Sequence, residues 1–318
     1  MTATTPVTIV YDDVFLEHSA VGHPERPDRL RAIVTRLRAD ERLRTVPWSD
    51  AGGVEASHDL LAAVHSERHL AAIEAMSRDG GGWIDADTYC TQNSHRVAVR
   101  AAGATVAAAS LVCTAASQHA FALVRPPGHH ATRNRAMGFC LFNNVAIAAR
   151  ATQAVHHVER VAIVDIDVHH GNGTQDVFYA DPSVLYTSLH QYPFYPGSGA
   201  ATETGSGAGR GTTINVPLPA GTAGDAWLDA FDRLVEPSVR AFNPGAVIVS
   251  AGFDAHRDDP LAELKLDTVT YAAIAHRLRI LAESLAIPTL WALEGGYDLT
   301  AIADSAAAIV HELAREGD

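Results

Sequence analysis

Apolar runs rich in β-branched residues alternate along the chain with stretches whose apolar positions recur every three to four residues. VTIVYD (7–12), FALVRP (121–126), VAIVDIDV (161–168), VLYTSLH (184–190), TTINVPL (212–218), AVIVSAGFD (246–254) and PTLWALEGGY (288–297) read as strands. Most are apolar without interruption, the pattern of strands covered on both faces. The intervening stretches 25–39, 59–77, 93–116, 142–157, 225–241, 268–286 and 300–315 read as helices. This alternation predicts an α/β fold: a mostly parallel, doubly wound sheet of about eight strands with helices on both faces. No linker or internal repeat divides the chain, so a single domain over 1–318 is expected. The Gly-rich stretch 197–211 lies between two strand candidates and reads as a surface loop.

Composition narrows the picture. Apolar residues make up 47% and charged residues 19% of 318, enough to bury a substantial core. A formal charge of −13 repels phosphate backbones, and no basic patch offsets it, so direct nucleic-acid binding is not expected. Such a surface suits cationic partners, and equally serves solubility. Cys90, Cys113 and Cys140 are odd in number, far apart and without a CxxC, which fits a reducing cytosol and offers no cysteine metal site. The start of the chain lacks a basic segment followed by a long apolar one, so no signal peptide and a cytoplasmic location are expected. The Ala-rich stretch 97–116 carries Arg100 and little transfer energy, and is expected as a buried helix rather than a membrane span. Histidine stands out: of 17 copies, seven lie between His119 and His170.

The segment VAIVDIDVHHGNGTQD delivers Asp165, Asp167 and His169 from an apolar strand. In extended chain their spacing places them on one face, about 6.6 Å apart from one to the next. Buried carboxylates must be paired or metal-bound. A second apolar run, AVIVSAGFDAH, ends at Asp254. Asp167, His169 and Asp254 then make an Asp2His set with room for a fourth ligand, as catalytic zinc requires; Fe2+, Co2+ or Mn2+ could substitute at such oxygen-rich ligands. A third run leads through RPPG to His129 and His130. In an extended turn these side chains diverge and need different partners, Asp165 and Asn172 being the suited ones. One arrangement makes His130 the general base toward a metal-activated water and His129 a charged helper or acid; two surface loop histidines is the other. The fourth, LEGGYDL (293–299), presents Tyr297 after two glycines, where a phenol can donate to a developing oxyanion or pack over the sheet edge.

Together these segments resemble the histone deacetylase and acetylpolyamine amidohydrolase superfamily, and its bacterial class II amidohydrolases in particular. The resemblance runs through GHPERPDRL (22–30), RPPGHHA, GFCLFNN, DIDVHHGNGTQ, SLHQYPFYPGSG (188–199), NVPLP, AGFDAHRDDPL and LEGGYDL, nearly the whole chain. It implies the arginase–deacetylase fold, zinc on Asp167, His169 and Asp254, His130 as general base backed by Asn172, His129 as its electrostatic partner backed by Asp165, and Tyr297 polarising the carbonyl. Phe139 and Tyr195 are implied to flank a tunnel for an acyl-lysine chain, with Gly138 and Gly296 close to the acyl group. Arg29 is implied to border an internal acetate cavity, and Asp87 to accept from substrate backbone. A structural K+ would use the carbonyls of Asp165, Asp167 and His169 with Ser188 and Leu189, and a second cation site would involve Phe178, Asp181, Val184 and Thr212.

Asn172 stands where class I relatives carry an aspartate, which gives less support to an imidazolium. Leu261 stands where a glutamate marks polyamine-preferring relatives, which leans toward acyl-lysine peptides or proteins over acetylated polyamines and other small molecules. A di-manganese ureohydrolase on the same fold would need a further acid two residues beyond His169, where the chain has Gly171. A homo-oligomer is left open.

Overall fold

The apolar runs pair side by side, all in the same direction. The computed structural model describes residues 5–50 and 53–315; the expected unit 1–318 reaches beyond these at both ends, and residues 1–4, on which the reading of the chain start partly rests, lie outside them. In chain order the elements are β1 (Thr5–Tyr11), α1 (Asp28–Ala39), β2 (Trp48–Asp50), α2 (His58–Ala62), α3 (Glu67–Arg78), β3 (Gly81–Trp83), β4 (Tyr89–Thr91), α4 (Ser94–Cys113), β5 (Ser117–Ala122) and α5 (Asn144–His156). There follow β6 (Val161–Asp165), α6 (Asn172–Phe178), β7 (Val184–Gln191), β8 (Thr213–Leu218), α7 (Gly224–Ala230), α8 (Glu236–Phe242), β9 (Ala246–Ala251), α9 (Thr268–Leu285), β10 (Thr289–Leu293) and α10 (Leu299–Leu313). One π-helical turn, Phe231–Val235, joins α7 to α8 within the single helix expected there.

Eight strands form a sheet in the order β2-β1-β5-β10-β9-β6-β7-β8, every pair parallel. All residues of β6, β9 and β10 are buried, as their unbroken apolar sequences require. Helices α4 and α5 pack on each other, and α1, α10 and α9 form a second layer. The apolar α4 is part of this packing: twelve of its twenty residues are buried, and it contacts β1, β5 and β10. The arrangement brings four strands of distant sequence, β5, β10, β9 and β6, side by side at the centre of the sheet. Their carboxyl ends carry the four chemistry-bearing segments, and open parallel sheets bind ligands at this end.

Several boundaries differ from expectation for local reasons. β5 begins at Ser117, four residues early, because its polar members are satisfied inside: His119 bonds Thr289 at 2.8 Å, and Ser117 donates to the His119 carbonyl. The stretch 59–77 is two helices, α3 starting afresh where Ser66 caps the His69 N–H. The three-residue β2 and the separate β3–β4 hairpin are too short to show a period. The loop 197–211 is pinned rather than loose: Glu203 accepts from Gly199 and Ala200, and Gln175 donates to Glu203 at 2.6 Å.

Candidate active site

β6 stops at Asp165, three residues before the apolar run does. Asp165 Oδ1 accepts the Asp167 N–H, and Asp167 Oδ1 accepts the His169 N–H at 2.9 Å, so the carboxylates turn the chain out of the sheet. The expected two-residue repeat along one face is thereby corrected. Asp165 turns toward His129, whereas the Asp167 and His169 side chains close on each other, Nδ1 to Oδ1 being 3.1 Å. From the end of the neighbouring β9, Asp254 Oδ2 reaches the same His169 Nδ1 at 3.2 Å.

The three donor atoms lie within 4.8 Å of one another, from two carboxylates buried completely and one imidazole nearly so. Tetrahedral ligands at about 2.0–2.1 Å from an ion stand about 3.3 Å apart, so the closer spacings already match. The second oxygens are held by the chain: Val168 N donates to Asp254 Oδ1 at 2.9 Å and Gly295 N to Asp167 Oδ2 at 2.8 Å. Burial works against an imidazolium at His169, yet its bonds to Asp167 and Asp254 outweigh burial and push it up to about 10. A site that holds positive charge so firmly fits a dication in place of that proton.

The adjacent histidines diverge as their spacing predicted. His129 Nδ1 donates to Asp165 Oδ2 at 3.1 Å, an oxygen that also accepts Tyr186 Oη. Burial opposes its charge, but Asp167 and Asp165 prevail and raise His129 to about 10. His130 is driven the other way, well below its ordinary value, by burial and then by the charges of His129 and His169. Its Nδ1 lies 2.8 Å from Asn172 Oδ1, an acceptor, which assigns the proton to Nδ1 and leaves Nε2 as a lone pair. Asn172 is presented by the first residue of α6. Two histidines with ring centroids 4.0 Å apart thus hold opposite protonation states.

Tyr297 closes the site from the end of β10. Its ring stands on the Arg29 guanidinium at 4.9 Å, and burial above all keeps the phenol protonated, hence a donor. Asp259 Oδ2 accepts the Tyr297 N–H at 2.6 Å and its Oδ1 the Leu261 N–H at 3.0 Å, tying two loops together. Asp259 and the fully buried Glu294, whose Oε2 accepts from Gly128 and His129, were not singled out as site residues from the sequence; each reads there as one more acid within a motif.

A cleft of about 240 Å³ joins these groups, lined by His129, His130, Gly138, Phe139, His169, Phe194, Tyr195, Leu261, Gly295 and Tyr297, with Asp87 among its residues. It is smaller than the roughly 300–1,000 Å³ of drug-sized ligand pockets and suits a slender chain. Phe194, absent from the sequence reading, stacks on the His169 ring at 5.4 Å. Gly295 lines the cleft instead of Gly296: a Cβ at Gly295 would collide with Asp254 and Asp167, whereas Gly296, at φ +113°, faces Phe253. Gly138 is required by His130, whose ring a Cβ there would overlap. Arg29 donates to Gly296 O, Glu25 Oε1 and Glu294 O, which clamps it under the Tyr297 loop. Asp165 and Ser188 are register partners, and Leu189 follows on β7. At the second cation position Arg150 already pairs with Asp181 at 2.7 Å and lies over Phe178, and Asp181 O accepts Thr212 Oγ1.

An all-parallel α/β sheet with an Asp2His cluster, a split histidine pair and a half-buried tyrosine at its central carboxyl ends marks a hydrolase acting on amides, with the arginase–deacetylase fold. The chain belongs to the histone deacetylase family: the family model for the histone deacetylase domain matches residues 23–313. It is 42% identical over 99% of its length to histone deacetylase 15 of Arabidopsis thaliana, of which it spans 58%. It is 39% identical over 93% of its length to the histone deacetylase-like amidohydrolase of Pseudomonas aeruginosa, covering 78% of that protein. A crystal structure of the HDA15 HD domain superposes with a TM-score of 0.93 at 41% identity, over 98% of this chain and 90% of the other.

Proposed function

We propose that the protein removes acetyl or another short acyl group from the side-chain amine of acyl-lysine, with zinc on Asp167, His169 and Asp254. The observation that carries this reading is the convergence in one narrow cleft of that donor set, the free Nε2 of His130 and the protonated Tyr297. When bound, zinc supplies Lewis acidity that acidifies a water and polarises the acyl carbonyl. His130 Nε2 takes the proton of the attacking water and returns it to the leaving amine. Tyr297 Oη donates to the carbonyl oxygen as negative charge develops there. His129, held charged by Asp167 and Asp165, supplies a fixed positive charge at the reacting centre. Phe139, Phe194 and Tyr195 align the chain, and Leu261 offers an apolar wall where an acid would select a second ammonium. Cytoplasmic action fits the thiols, and K+ beside Asp165, Asp167, His169, Ser188 and Leu189 would brace the turn carrying the zinc ligands.

The test is kcat/KM of the zinc-loaded protein on acetyl-lysine peptides, longer acyl-lysines and acetylated polyamines. A hundredfold preference for acyl-lysine substrates is expected. An equal preference for the polyamines would replace this reading with small-molecule deacylation, and no turnover would end both.

A further inference from the structure

Glu294 is an acid sealed inside the protein, one residue past the end of β10 and three before Tyr297. Its main chain is fixed: the N–H donates to Ala251 O at 3.0 Å, and the carbonyl accepts from Arg29. The side chain crosses to the segment that follows β5, where Oε2 accepts the N–H groups of Gly128 at 2.6 Å and His129 at 3.1 Å. Those two donors have no other partner among the described residues. The carbonyls of the same turn are held from elsewhere, Asn144 donating to Pro126 O at 3.0 Å and Thr174 N to His129 O at 3.1 Å. A Cβ at Gly128 would come within 2.5 Å of Asn144 N, so the turn lies flush on the start of α5, and a buried N–H there needs an acceptor from the protein.

This arrangement costs stability. The other oxygen, Oε1, is buried with no hydrogen-bond partner among the described residues, and burial above all pushes the carboxyl up to about 7. A buried acid matched on one oxygen only is destabilising, and such departures collect at functional sites. What the acid secures is geometry: one side chain joins the turn carrying His129 and His130 to the turn carrying Tyr297, across 166 residues of sequence. We infer that Glu294 is a positioning residue, which sets the His130 imidazole against the Tyr297 phenol through its bonds to two backbone N–H groups. Because those bonds go to backbone, the reach of the side chain and its acceptor oxygen are what matter, and its negative charge is not needed. This rests on the deacylase reading above and adds a residue to it.

Two substitutions separate reach from charge. Glu294→Gln keeps the length and an acceptor oxygen and removes the charge, whereas Glu294→Asp keeps the charge and falls one methylene short of the two N–H groups. Both are compared with the wild type as zinc-loaded full chains on a blocked acetyl-lysine peptide, with bound zinc and the thermal midpoint measured alongside. Glu294→Gln is expected to keep kcat within about threefold of wild type, and Glu294→Asp to lose about a hundredfold, the scale of a displacement of about 1 Å. KM and bound zinc should stay unchanged in both, since the groups displaced act in the transition state. Glu294→Gln as slow as Glu294→Asp, or slower, would show that charge is used, and wild-type kcat in both would show that neither is. An Asp variant that fails to fold, releases zinc or acts through KM makes Glu294 a structural residue. Each of these overturns the inference, while turnover by the wild type leaves the deacylase reading standing. A wild type that does not turn over the peptide overturns that reading and this one with it.

Discussion

At the scale of single residues, the site separates chemically identical side chains by their surroundings. His129 and His130 are neighbours in sequence, yet Asp167 and Asp165 hold one charged while burial keeps the other neutral. Charge on the first also lowers the second, so the base and its helper are set by their surroundings. Replacing His130 with Ala should abolish nearly all turnover, whereas Asn172→Ala, which removes only the proton's acceptor, should cost far less. Equal losses in steady-state kcat would remove His130 from the proton's path. Tyr297→Phe should retain stoichiometric zinc by elemental analysis and lose about a hundredfold in kcat, the size of one missing oxyanion donor. Near-wild-type turnover would leave the oxyanion to other donors.

At the scale of elements, the working parts sit on turns that leave the sheet, and the turns are built from the functional carboxylates themselves. Asp167 both clusters with His169 and Asp254 and accepts the backbone N–H groups of His169 and Gly295. The close approach after β10 leaves no room for a side chain. Gly295→Ala would drive its methyl between Asp254 and Asp167; the variant should fold but fail to retain zinc after dialysis, and a full equivalent of metal would show that the turn yields. Asp259, which fastens the Tyr297 and Leu261 loops together, is best tested in a cycle. Asp259→Asn should lower kcat about tenfold in the wild type and little further in Tyr297→Phe, because its effect passes through the tyrosine. Independent, additive losses would make it a stability residue only.

Across the whole molecule, burial of histidine couples stability to pH. Desolvation, the largest cause in each case, holds His18, His65 and His170 down to about 3 and His119 and His190 to about 4. Their folded values lie below the unfolded 6.5, so the unfolded chain takes up protons first as the pH falls, and stability falls with it. Asp259 and Glu294, raised by burial to about 7, oppose this, since the folded state holds their protons where the unfolded chain has released them. His130 is lowered as well, so the lowered histidines outnumber these two acids and stability falls as the pH drops from 7 to 5. Urea unfolding of the zinc-loaded protein should therefore show a much lower midpoint at pH 5 than at pH 7. An unchanged midpoint would mean that the buried histidines protonate without unfolding.

The layout of strands and helices, and the grouping of Asp167, His169 and Asp254 beside two histidines, were legible along the chain because each depends on local order: continuous apolar runs for a doubly covered sheet, and acids or histidines placed where such runs end. What remained hidden depends on contacts between distant segments. Phe194 looks like any aromatic in a loop, and Glu294 and Asp259 like any acid, until the loops fold over the ends of β5, β10, β9, β6 and β7. Local order along the chain places the acids, histidines and tyrosine at strand ends. That Gly295 rather than Gly296 lines the cleft, that Arg29 is clamped under the Tyr297 loop, and that His129 and His130 differ in charge follow from excluded volume and burial between segments 36 to 267 residues apart, which only the folded chain brings together.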